Sequence, residues 1–178
     1  MMMPMKQPGR PQPDEHDPYY SHYLALVQEE DIVRAIEEQG ATTGALLRNL
    51  SEKHAAFRYA EGKWSIKQIV GHVTDATRVF AYRALSIARG ETRSLPGFDE
   101  NSFVENGGFD ERSLNDLLDD LESTRAATLR FLRGLPEAAW TRKGSANNSP
   151  VSVRALAWMI AGHERHHVNV LRERYLNK

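Results

Sequence analysis

The chain has no cysteine in its 178 residues. That excludes disulfides, thiolate ligands and a cysteine nucleophile together, so histidine and carboxylate must carry any metal. It has no surplus of charge: 23 Lys plus Arg stand against 24 Asp plus Glu. A phosphate-binding surface announces itself as a basic excess or stripe, so nucleic acid is not an expected partner. No stretch reaches the roughly eighteen apolar residues that a membrane span requires, and no membrane partner is expected. The opening MMMPMKQPGRPQP lacks the apolar core of a signal peptide, which leaves a cytoplasmic protein as the expectation. Those residues are proline-rich and aperiodic, so residues 1–17 are expected to form a disordered tail ahead of a single domain over 18–178.

Helical periodicity fills the rest. After an aromatic lead-in over Pro18 to Val27, a first long helix is expected from about Glu30 to Leu50, with Ile32, Ile36, Gln39, Thr43, Leu46 and Leu50 on one seam. Gln39 and Thr43 are polar intrusions at mid-height. The plainer reading is a gap in a small-residue seam; the other is a polar cavity inside a bundle. Residues from Ser51 to Trp64 read as irregular. Ser65 and Gln68 then form a capping box, opening a second helix with a buried stripe of Ile66, Ile69, Val73, Ala76, Phe80 and Ala84. Gly90 ends it. Glu91 to Arg112 reads as a loop containing Pro96, Gly97, Gly107 and Gly108, long enough to be functional or a crossover. Leu114 to Leu135 carries a third helix, and Trp140 to Pro150 reads as polar loop. Ser152 caps a fourth helix running toward Tyr175. With no repeat and no strand pair in view, the fold expected is an all-α four-helix bundle.

Within the fourth helix the seam reads Val153, Leu156, Ile160, His163, His167 and Val170. Imidazoles four residues apart stand one turn above each other, and both can reach one metal ion. A single seam histidine is ordinarily a core residue satisfied by a hydrogen bond. Two in succession bring two polar nitrogens into the core and favour ligation more. The third-ligand candidate is His72, beside the stripe of the second helix. It stands seven residues after Ser65, while His167 and His163 stand eight and twelve before Tyr175. Antiparallel packing of the two helices brings all three near one level; parallel packing would offset them by roughly 6 to 12 Å.

His163, Glu164, Arg165, His166 and His167 also spell H-E-x-x-H, the zinc-protease helix in which the glutamate is the general base. The metzincin form needs a glycine that turns the chain back toward a third ligand, and Val170 occupies that position, so the protease reading is rejected. Glu164 then reads as a solvated helix residue and only a weak catalytic candidate. His166 is a candidate neighbour of the ligands, with an exposed role as the alternative. Asp75, one turn beyond His72, is a candidate acceptor for a ligand's ring N–H.

The segments KWSIKQIVGHVTDA from Lys63 and AGHERHH from Ala161, with RALSIARG and LPGFDE between them, resemble the DinB-like superfamily, which includes YfiT-type proteins and bacillithiol- and mycothiol-dependent transferases. The resemblance implies an up-down-down-up bundle with its long crossover between helices two and three. It implies one zinc, nickel or other divalent ion per chain on His72, His163 and His167, and a homodimer. The activity it implies is transfer of a low-molecular-weight thiol to an electrophilic small-molecule substrate, or metal-dependent hydrolysis. The alternative is a non-catalytic metal-binding module acting in a stress response.

Overall fold

The computed structural model describes residues 8–176. Its frame is four long helices: α2 (Ile32–Leu47), α4 (Ile66–Ala88), α6 (Leu114–Arg133) and α8 (Val153–Val170). Short helices α1 (Ser21–Ala25), α3 (Glu52–Ala55), α5 (Glu100–Asn106) and α7 (Glu137–Trp140) fill the connections. Each long helix begins where a side chain satisfies an otherwise orphaned backbone N–H. Asp31 accepts from Arg34, Ser65 from Gln68, Ser113 from Asp116 and Ser152 from Ala155. At Ser65 the reciprocal bond from Gln68 completes the expected capping box.

Contacts between helix ends fix the topology. Arg133 closing α6 pairs with Glu37 early in α2, and Arg48 just past α2 pairs with Asp119 and Glu122 early in α6, so these two run antiparallel. The Tyr175 hydroxyl beyond α8 donates to the Trp64 carbonyl ahead of α4, while Arg142 ahead of α8 donates to the Ala88 carbonyl at the end of α4. That pair is antiparallel too. Glu52 accepts from the Leu114 N–H at the start of α6 and pairs with Lys67 at the start of α4, so α4 and α6 begin side by side and run parallel. The result is the up-down-down-up four-helix bundle, with α4 and α6 joined by the long crossover.

The apolar interior falls into two blocks, one at each end of the bundle. Ile32, Ile36, Phe80, Leu132 and Leu156 belong to one, and Leu47, Ile66, Val73, Leu117 and Leu171 to the other. At mid-height the buried side chains are polar: Gln39, Thr43, His72, Arg125, His163 and Glu164.

Several connections are more ordered than their composition suggests. Of the expected 1–17 tail, residues 1–7 lie outside the described residues, but the chain from Pro8 onward is tied to the bundle. Glu15 is buried and accepts from Ser152 Oγ and Arg154 Nε, both at 2.7 Å, and Arg10 donates to the Leu24 and Val27 carbonyls. Burial alone would raise the Glu15 pKa, but the bonds from Arg154 and Ser152 hold it at about 2. The polar loop expected over 140–150 contains a β-hairpin, β1 (Lys143–Ala146) paired antiparallel with β2 (Ser149–Ser152). Asn147 and Asn148 both take positive φ, 52° and 60°, as a two-residue type I′ turn demands, and asparagine tolerates that conformation better than most residues. The crossover is also only partly loop: it holds α5 and bonds to the hairpin through Leu95, which donates to Ser145 and accepts from Asn147.

Candidate metal centre

His72 comes from α4, and His163 and His167 from α8. His72 Nε2 lies 3.0 Å from His163 Nε2, and His167 Nε2 lies 3.2 Å from it. One ligand atom of each residue falls within 4.8 Å of the other two. Nitrogens bound to one tetrahedral zinc at about 2.0–2.1 Å stand about 3.3 Å apart, so the spacing fits a shared ion. The donor set fits as well. Three Nε2 atoms turned on one another cannot all be satisfied by hydrogen bonds among themselves, whereas a cation in their midst takes every lone pair.

Electrostatics keep these rings neutral, the form that ligates. Burial, with a smaller push from His166, draws His72 down to about 4. Burial followed by the neighbouring imidazoles puts His163 and His167 well below the ordinary histidine range. The desolvating walls are aromatic: Trp64 lies 4.8 Å from His72 between ring centroids, Tyr23 5.4 Å and Phe80 5.9 Å from His163. Tyr23 reaches that position because α1 crosses α8 at Gly162, where a Cβ would stand 2.1 Å from the Tyr23 carbonyl oxygen.

The lesser candidates are placed differently from expectation. Glu164 is not solvated; it is 3 % exposed and turns away from the histidines. One residue on from His163 is about 100° around the helix, so while His163 faces α4, Glu164 faces α2 and α6. There it accepts from Gln39 Nε2 at 2.8 Å, Thr43 Oγ1 at 2.6 Å and Arg125 Nη2 at 2.7 Å. The polar intrusions on the first seam are therefore not gaps but donors to a buried carboxylate. Gly40 makes room for the pairing guanidinium, since a Cβ there would lie 2.7 Å from Arg125 Nη1. Asp75 does not orient a ligand ring: its carboxylate points to Arg78, which also bonds Asp120 on α6. Burial raises the Asp75 pKa despite Arg78. His166 is half-buried beside the site, its ring 5.1 Å from that of His167 and 5.3 Å from that of Tyr23, outside the ligand cluster. Sequence reasoning missed Arg125 and Tyr23. Gln39 and Thr43 were the available signal for the first, because two polar groups on a buried seam require a buried partner.

A helical bundle with three converging imidazoles defines a class of metal-site proteins, and comparison with known proteins narrows it. The model of the DinB superfamily matches residues 35–171, and the chain belongs to that superfamily. Among solved structures it is similar to YfiT from Bacillus subtilis, described as a probable metal-dependent hydrolase with an unusual four-helix bundle topology. That match has a TM-score of 0.74 and 18% identity over 83% of this chain and 87% of that one. A DinB-like protein of Bacillus subtilis, YjoA, matches with a TM-score of 0.57 and 23% identity over 79% and 86%. The mycothiol-dependent maleylpyruvate isomerase matches with a TM-score of 0.65 and 15% identity over 82% of this chain and 61% of that one. No curated protein matches the sequence.

Proposed function

We propose that the chain is a divalent-metal-dependent enzyme that transfers a low-molecular-weight thiol to an electrophile, with zinc or nickel held by His72, His163 and His167. The observation that carries this reading is the convergence of three neutral Nε2 atoms while both nearby carboxylate candidates are engaged elsewhere. A divalent ion on three neutral ligands keeps its charge and an open position, and lowers the pKa of a water or thiol placed there. Trp64, Tyr23 and Phe80 pack against His72 and His163, which are buried, while His167 is half-buried. The nucleophile follows from what the chain lacks at that point: the ligand cluster contains no carboxylate to take a proton. A thiol, with a pKa near 8.5, ionises without such help far more readily than water at about 15.7. Hydrolysis is the second reading, favoured by the likeness to YfiT.

The test is consumption of monobromobimane by the zinc- and nickel-loaded protein with bacillithiol, mycothiol or glutathione, against the chelator-treated protein and His163→Ala. Metal-dependent acceleration with one thiol is expected. Metal uptake without acceleration by any thiol, alongside metal-dependent ester or amide cleavage, would establish hydrolysis instead; uptake with neither activity would leave a non-catalytic metal-binding module.

A further inference from the structure

Two arginines are buried among the described residues, Arg83 and Arg125, and Arg154 is half-buried; all but Arg83 have a carboxylate. Arg125 pairs with Glu164 and Arg154 with Glu15. Arg83, on α4 and only 4 % exposed, has none among the described residues. Its Nη2 donates to the Pro96 carbonyl at 2.7 Å, Tyr20 lines the same cavity, and its guanidinium stands 5.9 Å over the Phe98 ring. Those neighbours are neutral. A buried guanidinium carries a full charge and five donors, and a carbonyl, a phenol and a ring face leave the charge without a counterion.

Arg83 lines a cavity of about 320 Å³ together with Tyr20, Phe98, Asn147, Asp17 and Glu100. The charges are ordered by depth: Arg83 is buried, Asp17 half-buried and Glu100 exposed. Asp17 already accepts from the Tyr19 N–H and Ser149 Oγ, but Glu100 has no ion-pair partner among the described residues. A simple anion drawn to Arg83 would pass two carboxylates on the way in. A ligand carrying an ammonium beside its carboxylate meets complementary charge at both depths. One ring separates the cavity wall from the histidine cluster, Tyr20 lying 6.3 Å from Phe80 and Phe80 lying 5.9 Å from His163.

We propose that this cavity binds the amino-carboxylate end of a zwitterionic substrate, its carboxylate on Arg83 and its ammonium toward Glu100. The assignment of that ligand as a substrate rests on the metal-enzyme reading; the binding itself does not. The test therefore uses metal-free protein and three thioethers that differ only in charge: S-methylcysteine, 3-(methylthio)propionate with the carboxylate alone, and 2-(methylthio)ethylamine with the ammonium alone. S-methylcysteine is expected to bind tightest by calorimetry and to shift the Arg83 side-chain NMR signal. Arg83→Gln, checked for fold by circular dichroism, should weaken it about tenfold or more, the scale of a lost charge-assisted bond. Arg83→Lys should restore part of that loss, and Glu100→Gln should cut the preference for S-methylcysteine over 3-(methylthio)propionate several-fold. Should Arg83→Gln fail to fold, the Arg83→Lys and Glu100→Gln affinities decide. Equal binding by folded Arg83→Gln, equal binding of the ammonium-only compound, an unchanged preference in Glu100→Gln, or no binding by wild type would overturn the proposal. A protein that binds S-methylcysteine but takes up no metal would keep this inference and remove the metal reading.

Discussion

Glu164 occupies the general-base position of an H-E-x-x-H motif, yet the structure gives it a different task, and the two can be separated by measuring stability. The Arg125–Glu164 pair is 2.7 Å long, with side chains 10% and 4% exposed. At an effective dielectric of about 20 that separation is worth about 6 kcal/mol of attraction. Desolvation of the two charges costs several kcal/mol each and cancels most of it. The intact pair therefore contributes little net stability, but either half alone is an uncompensated buried charge. Arg125→Met and Glu164→Gln should each cost about 3–5 kcal/mol in urea unfolding followed by circular dichroism. The double variant leaves a neutral layer in which the new side-chain amide at position 164 still accepts from one of Gln39 and Thr43. It should cost at most about 1–3 kcal/mol, far below the sum of the singles. Metal content should be unchanged in every variant that remains folded. Unfolding of Glu164→Gln at the wild-type urea midpoint, together with loss of metal-dependent turnover, would refute this assignment, because the carboxylate would then be acting as a base.

His72→Ala should abolish uptake of the one ion expected per chain while leaving helical circular dichroism intact, since α4 and α8 bury long apolar stripes of their own; an ion retained at wild-type affinity would remove His72 from the ligand set. The metal-free protein should lose stability as pH falls from about 6.5 toward 4. His72, His163 and His167 are held below their unfolded value, His72 at about 4, so the unfolded chain binds the extra protons in that window. Each such group steepens the loss by up to about 1.4 kcal/mol per pH unit, and flat urea midpoints between pH 7 and 5 in chelator would contradict it. Gly162→Ala should lower stability by about 1–3 kcal/mol, because the 2.1 Å overlap is with backbone and cannot be relieved by a rotamer change; a thermal midpoint equal to wild type would show that α1 does not sit tightly on α8.

The bundle and its histidines were legible because their signals are local and periodic. Ser65 with Gln68 announces a helix start, Ser152 another, and the spacing of His163 and His167 places both on one seam whatever lies opposite. His72 could be added because antiparallel packing follows from matching heights. What was illegible depended on the partner. Glu164 looks solvated until α2 and α6 bring Gln39, Thr43 and Arg125 to it, and nothing in the local sequence of α8 specifies that those helices meet there. Asp75 looks like an orienting carboxylate until its side chain is seen to leave α4 toward Asp120 and α6. The N-terminal segment looks disordered by composition, since four prolines and few apolar residues cannot form a core. Glu15 and Arg10 attach it instead through individual polar bonds, which leave no periodic trace. The hairpin escaped because strands of four residues around an Asn-Asn turn are too short to show alternation.

The polar layer at mid-height has a mechanical consequence. Helix α8 carries two sets of marks on different faces: His163 and His167 meet α4, and Glu164 meets α2 and α6. Sliding α8 by one turn, about 5.4 Å, would leave Glu164 among apolar side chains and separate the imidazoles from His72. Rotating it would break one set of contacts while trying to keep the other. The layer thus works as a vernier that sets both the height and the rotation of α8. The imidazoles and the carboxylate are two separate fixings of one helix, so that losing either leaves the other to hold α8 in place. Changes at the helix ends, in the crossover or in the hairpin can reshape the surroundings of the three imidazoles without moving them.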